Sequence, residues 1–244
     1  MKRLVKSFVR LFGFDLVRRR QISTEALESV QAFVSALKLP PGAVCFDVGA
    51  NTGQTIDAFL DGVIEPEIHA FEPSQEPFAE LQCKYGSDAR VRVVKSGVSS
   101  RSGTETIHVN SSSKLNSLHR TNEKSDFKQG SVVGEEKIEL VTLDAYCADG
   151  GIDSIDVLKI DVQGHEPEVL EGAQGLIRNG QIDWIIAEVQ FGDFYVTEGN
   201  DLKRIIDLLK GYRVFAIIDL TYIGKSGAIS HADFIFKRIH GATN

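Results

Sequence analysis

The sequence predicts an α/β fold built on one mostly parallel, seven-stranded sheet, and three observations point to it. The run VCFDVGANTGQT, residues 44–55, passes from an apolar strand through a glycine-punctuated loop directly into a helical pattern. Apolar runs of strand length lie near 43–48, 67–72, 91–95, 155–161, 182–189, 212–219 and 232–238, most of them separated by helical patterns as βαβ units require. The last two, YRVFAIID and ADFIFKRI, have no helix between them. Their linker LTYIGKSGAISH, with Gly224 and Gly227, predicts a long-looped antiparallel hairpin at the sheet edge.

Residues 1–40 read as a helical extension. The first twenty residues hold seven Lys or Arg against one acid, Asp15, although the chain carries a net charge of −7. Leu4, Val5, Phe8, Leu11 and Phe12 recur at helical spacing, so MKRLVKSFVRLFG is expected to form a basic amphipathic helix. Such a helix suits an anionic membrane surface, or else packing on the main domain or a second subunit of a homo-oligomer. Ser23 to Lys38 reads as a second helix, ending at the Pro40–Pro41 turn. Residues 41–244 then form one soluble domain with a single core, since no run of eighteen apolar residues occurs. No signal peptide is evident, and Cys45, Cys83 and Cys147 are scattered without metal-type spacing. Reduced thiols in a cytoplasmic protein are expected, at the inner membrane face if the basic helix binds there.

The glycine loop carries the first functional signal. Val44, Phe46 and Val48 read as a buried strand, and Gly49 and Gly53 let backbone approach a ligand closely. Ile56, Phe59 and Leu60 then set a helix whose first amides are free donors. A dinucleotide fingerprint would be G-x-G-x-x-G, whereas here an acid, Asp47, precedes G-x-x-x-G. S-adenosylmethionine has no phosphate but carries an ammonium, a carboxylate and a sulfonium, which suits Asp47 and the loop of Gly49, Asn51, Gly53 and Thr55. The run IHAF ends in Glu72, where α/β nucleotide folds place the carboxylate that accepts from ribose hydroxyls. By fold analogy Ser96 and Gly97, after the third strand, are expected beside the adenine.

Residues 103–149 interrupt the alternation with ETIHV and KIELVTL around a polar tract, and read as an inserted lid. Ser113, Asn116, His119 and Arg120 in it are candidates to meet a polyhydroxylated acceptor. The fourth strand, VLKIDVQGHEPEVLEGA, places Asp161 at its carboxyl end and His165 four residues on, at the mouth where open α/β sheets bind ligands. Methyl transfer requires the acceptor oxygen to be held in line and relieved of its proton. His165 is the expected base, with Asp161 orienting it or the acceptor. Glu188 ends the fifth strand beside Asp161, so the two acids are also candidate ligands for Mg²⁺.

The chain resembles the FkbM-type S-adenosylmethionine-dependent methyltransferases over about residues 43–238. The motifs that carry the resemblance are DVGANTGQT at 47–55, FEPSQEPFAEL at 71–81, VTLDAY at 141–146 and IDVLKIDVQGHEPEVLEGA at 155–173. The resemblance implies a class I methyltransferase (Rossmann-like) fold, with helices on both sheet faces and a final strand antiparallel to the rest. It also implies O-methylation of sugars in cell-surface polysaccharides or of natural products. Gln163 stands where the family pattern carries an acid, which removes a charge from the Mg²⁺ set. No Asp-Pro-Pro-Tyr or Asn-Pro-Pro-Tyr string and no Pro-Cys nucleophile occurs, and the domain is acidic, so nucleic acid is disfavoured as acceptor. Two readings from other classes stand beside this one: an NAD-dependent oxidoreductase, and a cofactor-binding module that acts through partners without catalysis.

Overall fold

The computed structural model describes residues 29–122, 130–192, 194–195, 202–223 and 228–239. The amphipathic pattern of residues 4–12 lies outside them. In chain order the elements are α1 (Val30–Leu37), β1 (Val44–Val48), α2 (Gln54–Gly62), β2 (Glu67–Phe71), α3 (Gln75–Tyr85), β3 (Val91–Val94), β4 (Gly97–Val98) and β5 (Gly103–Asn110). A 3-10 turn (Ser113–Leu115) precedes β6 (Val132–Val141), α4 (Leu143–Gly150), β7 (Ile155–Ile160), α5 (Glu166–Glu171), α6 (Gln174–Arg178), β8 (Ile182–Gln190), α7 (Leu202–Leu208), β9 (Tyr212–Ile223) and β10 (Ala228–Arg238).

Seven strands form the main sheet in the order β3-β2-β1-β7-β8-β10-β9. The pairs from β3 to β8 are parallel, and β10 runs antiparallel to both β8 and β9. The sheet and its reversed last strand are those the sequence predicts. Alternate residues of each strand face opposite layers, because successive side chains of a strand point to opposite sides. Cys45, Val157 and Ile186 join Phe33 of α1, Ile56 and Phe59 of α2 and Leu81 of α3. Phe46, Leu158 and Ile185 join Leu143 of α4, Val169 of α5, Ile177 of α6 and Ile205 of α7. Both faces are therefore covered, which is why the strands read as unbroken apolar runs rather than alternating ones.

Ser29 caps α1 by accepting from the Ala32 amide at 3.2 Å, and Phe33 packs edge-on against Trp184 of β8 with centroids 5.5 Å apart. Of the stretch read as a helix from Ser23, the part before Ser29 lies outside the described residues. Among the described residues, no helix is long and apolar enough to cross a membrane.

Two boundaries differ from expectation. The segment expected as a lid over 103–149 is shorter as an insertion: β5 and β6 pair as an antiparallel arm and, with β4, make a separate three-stranded sheet, but Leu143–Gly150 is a helix of the main layer. Thr142 caps that helix through the Ala145 amide, and Leu143 and Cys147 are buried in the core. The last hairpin is not long-looped either. β9 continues to Ile223 and β10 resumes at Ala228, with Thr221 opposite His231. The Thr, Tyr and Ile of the linker are good strand formers, and cross-strand pairing carries them on despite the nearby glycines.

Candidate active site

A cavity of about 580 Å³ opens along the carboxyl ends of the strands. It sits where the chain order reverses, with β2 on one side of β1 and β7 on the other, the place where open α/β sheets bind ligands. Of the residues expected to act, Asp47, Gly49, Asn51, Thr55, Glu72, Ser96, Gly97, Asn116, Asp161, His165 and Glu188 line it. Ser113 lines it too, whereas Gly53, His119 and Arg120 are not among the lining residues.

The β1–α2 loop is pinned from below. The amides of Gly49 and Ala50 both donate to the Phe71 carbonyl at 3.0 Å, which ties the end of β1 to the end of β2. Gly49 has φ +88°, and a Cβ there would come within 1.9 Å of the Asp161 carbonyl, so only glycine lets the β1 and β7 loops meet. Gly53 has φ +93°, and a Cβ on it would strike the Tyr85 ring at 2.5 Å. The Tyr85 hydroxyl in turn donates to the Gly53 carbonyl at 2.9 Å.

This loop leaves acceptors pointing into the cavity. Asp47 Oδ2 and Asn51 Oδ1 are buried and have no hydrogen-bond partner. Buried polar atoms are ordinarily paired, so two orphans in one lining mark a place for a ligand's donors. Burial pushes the Asp47 carboxyl up to about 7, with neighbouring Asp161 and Glu72 adding to the rise and Lys159 opposing it. Glu72 is nearly enclosed; its Oε2 accepts from the Asn51 amide at 3.0 Å and its Oε1 from the Ser74 amide at 2.8 Å. The Ser74 hydroxyl also engages this carboxylate, which still has lone-pair capacity for a ligand. At the far end a Cβ on Gly97 would come within 2.7 Å of Leu140, so the glycine keeps that end narrow and flat. The Ser96 hydroxyl is engaged by the Gly97 and Glu139 carbonyls.

The other half of the cavity is a row of acids around one buried cation. Lys159, within β7, reaches Asp161 at 3.5 Å and Asp233 of β10 at 3.3 Å. Burial alone would depress the Lys159 ammonium, but Asp233 and Asp161 hold it above its ordinary value. The Asp161 side chain is 40% exposed and the most open of the group. Its Oδ1 accepts from Gln163 Nε2 at 3.0 Å, and the same amide nitrogen donates to Glu188 at 3.2 Å. Gln190 also donates to Glu188, at 3.1 Å, and the Tyr195 hydroxyl donates to Gln163 Oε1 at 3.3 Å. Burial raises Glu188 well above the usual carboxylate range, with Asp161 and Glu166 adding to it.

Glu166 braces the loop that carries these groups. It is fully buried at the start of α5 and accepts from the amides of Val162 and Gly164. Burial pushes it up to about 8. His165 is placed differently from a free base. Its Nε2 meets Ser99 Oγ at 2.9 Å and its Nδ1 meets His119 Nε2 at 3.2 Å, so a hydroxyl reaches neither nitrogen without displacing a partner. Burial also lowers the imidazole to about 4, which leaves it neutral at ordinary pH. Asn116 likewise faces inward but is engaged: it accepts from the Asn110 amide and donates to Ser74 Oγ at 3.1 Å, latching the lid to the residue two beyond Glu72.

Lys159, Gln190, Tyr195, His231 and Asp233 escaped sequence reasoning, and Gln163 was read only as a missing charge. Lys159 carried a signal, being the only cation in the strand IDVLKI, since a buried charge needs partners. His231 and Asp233 reach the mouth only because β10 inserts antiparallel beside β8, a pairing with no local signature.

The methyltransferase FkbM domain model matches residues 47–214. Among characterised proteins, the chain is 26% identical over 202 residues to the 2-O-methyltransferase NoeI of Sinorhizobium fredii, covering 79% of this chain and 81% of that one. It is 31% identical over 208 residues to the 31-O-demethyl-FK506 methyltransferase FkbM of Streptomyces tacrolimicus, covering 72% and 74%. It is 27% identical over 168 residues to the hexuronic acid methyltransferase AglP of Haloferax volcanii, covering 68% and 62%.

Proposed function

Because the chain belongs to the FkbM methyltransferase domain family and is an S-adenosylmethionine-dependent methyltransferase, we propose that its acceptor is a hydroxyl of a sugar, glycan or natural product. The observation that carries this reading is the two-part cavity, with orphaned acceptors beside Glu72 at one end and a hydrogen-bonding row of Asp161, Gln163, Glu188 and Gln190 at the other. The names of the relatives, which specify O-positions or a hexuronic acid, support an oxygen acceptor.

S-adenosylmethionine supplies a methyl group on a sulfonium, which departs as a neutral thioether. Glu72 would hold the ribose hydroxyls and Asp47 the ammonium, while the row of acids favours the positive charge. Asp161 positions the acceptor hydroxyl and takes its proton as the oxygen attacks, with Gln163 and Lys159 fixing the carboxylate. His165, tied at both nitrogens, is a positioning residue that holds the lid rather than the proton acceptor.

A Mg²⁺ site at Asp161 and Glu188 is the other reading, since these acids and Glu166 bring oxygens within 4.8 Å of one another. The Gln163 amide nitrogen already stands against both Asp161 and Glu188, and Glu166 accepts from backbone amides. The residues therefore suit a hydroxyl-bearing acceptor better than a hard cation. The test is release of S-adenosylhomocysteine with a panel of sugars, glycans and hydroxylated natural products. Turnover on hydroxyl acceptors is expected; methylation of amine acceptors alone would overturn the reading.

The raised Asp47 carboxyl gives cofactor binding a pH dependence. In the free protein Asp47 is protonated below about 7, yet the cofactor's ammonium favours the ionised form. Affinity for S-adenosylhomocysteine is therefore expected to be about tenfold weaker at pH 6 than at pH 8, by proton linkage. Calorimetry should show this slope in the wild type and a flat profile in Asp47→Asn.

The basic, amphipathic pattern of residues 1–12 supports contact with an anionic membrane surface, at the inner face of the cytoplasmic membrane, where glycan precursors are assembled. Full-length protein is expected to float with anionic vesicles and not with neutral ones. Failure to float with either would leave the helix to packing on the domain or on a second subunit.

A further inference from the structure

We propose that His119 Nε2, His165 Nδ1 and Glu168 Oε2 form a binding site for a zinc-class divalent cation, which fastens the lid to the loop after β7. The three donors converge from two separate parts of the chain. His119 lies in the lid, beyond the 3-10 turn; His165 precedes α5, and Glu168 lies one turn along that helix. All three atoms lie within 4.8 Å of one another. The two ring nitrogens are 3.2 Å apart and Nδ1 is 3.6 Å from Oε2. Ligands at about 2.0–2.1 Å from a tetrahedral ion stand roughly 3.3 Å apart, so both imidazoles can reach one ion with little movement.

A second observation points to the same spot. Glu168 Oε2 is buried and has no hydrogen-bond partner, while its Oε1 is anchored by Arg204 at 2.8 Å. The carboxylate is thus held with one oxygen turned toward the histidines. The surroundings also have the form of an outer shell, in which a ligating histidine donates its other nitrogen to a fixed acceptor. Ser99 Oγ stands 2.9 Å from His165 Nε2 and fills that role.

The donor set selects the cation. Two imidazoles and one carboxylate favour zinc, cobalt or nickel over magnesium, which takes oxygen donors, and three protein ligands leave a fourth position for water. Arg204 offsets the charge of Glu168, so the site is weaker than a structural zinc centre. Its consequence is mechanical. Ser117 already ties the lid to this loop by donating to the Gln163 carbonyl, and an ion on His119 and His165 adds a second tie beside the residues facing the acceptor.

Full-length protein stripped of metal with a chelator and titrated with Co²⁺ tests the site. One equivalent is expected to bind with the intense visible bands of tetrahedral cobalt, unaffected by millimolar Mg²⁺. The bands are expected to vanish in His119→Ala and in Glu168→Gln, the latter keeping the packing of the side chain. Limited proteolysis within residues 111–131 should slow with Co²⁺ or Zn²⁺ in the wild type and in neither variant. No visible bands in the wild type, or the same bands in both variants, would overturn the proposal. Calorimetry with S-adenosylhomocysteine on the same preparations reports separately on the methyltransferase reading, because the cofactor half of the cavity contains none of these ligands.

Discussion

Glu72→Ala is expected to weaken S-adenosylhomocysteine binding on the order of a hundredfold. Two losses combine. The ribose hydroxyls lose a carboxylate acceptor, and hydrogen bonds to charged groups are worth about 1.5–3 kcal/mol. The amides of Asn51 and Ser74, which donate to Glu72 at 3.0 and 2.8 Å, lose their partner as well, so the glycine loop keeps only its backbone ties to the end of β2. A total near 3 kcal/mol corresponds to roughly two decades in Kd. Glu72→Gln keeps one carbonyl acceptor and should retain part of the affinity. Calorimetry on the three proteins checks the order wild type, Gln, Ala. Equal affinity in all three would remove Glu72 from the cofactor site.

Asp161→Asn is expected to lower kcat by 10²–10⁴-fold, the usual contribution of a positioned proton acceptor, while changing the Kd of S-adenosylhomocysteine by less than about threefold. The substitution keeps the size of the side chain and its bond from Gln163 but removes the basic oxygen. Lys159 still has Asp233 at 3.3 Å, so the buried ammonium is not left without a counter-charge and the fold should survive. The separation of the two readouts is the point: a loss of cofactor affinity equal to the loss of turnover would mean that Asp161 shapes the cavity instead of acting on the acceptor. The same assay examines the Mg²⁺ reading, because turnover of chelator-treated wild type should not respond to added Mg²⁺.

The half of the cavity proposed for the cofactor was legible as a loop and a strand end because its geometry is local. Asp47, Gly49 and Gly53 sit within seven residues, and the constraint on each is set by the backbone next to it: a strand end, a positive φ, a helix start. Glu72 was legible for the same reason, as an acid at the end of an apolar run. The acceptor half was only partly legible. Asp161 and Glu188 could be placed at strand ends, but what surrounds them comes from the ends of β7, β8 and β10 and from Tyr195. His165 shows the limit most clearly. Its position after β7 suggested a base, yet whether an imidazole has a lone pair to offer depends on its neighbours, and those are Ser99 and His119, 66 and 46 residues away.

By itself, then, the sequence determined the sheet, its reversed last strand, the family and the glycine loop after β1, because hydrophobic periodicity and glycine geometry act over a few residues. The tertiary structure alone decided that the Leu143–Gly150 helix belongs to the core rather than to the lid, and that Gln163 bridges Asp161 and Glu188. It alone set the lid's His119 against His165 and Glu168. Those outcomes rest on which groups share a desolvated space, where pairing, charge and protonation are settled between segments that carry no trace of one another in the chain.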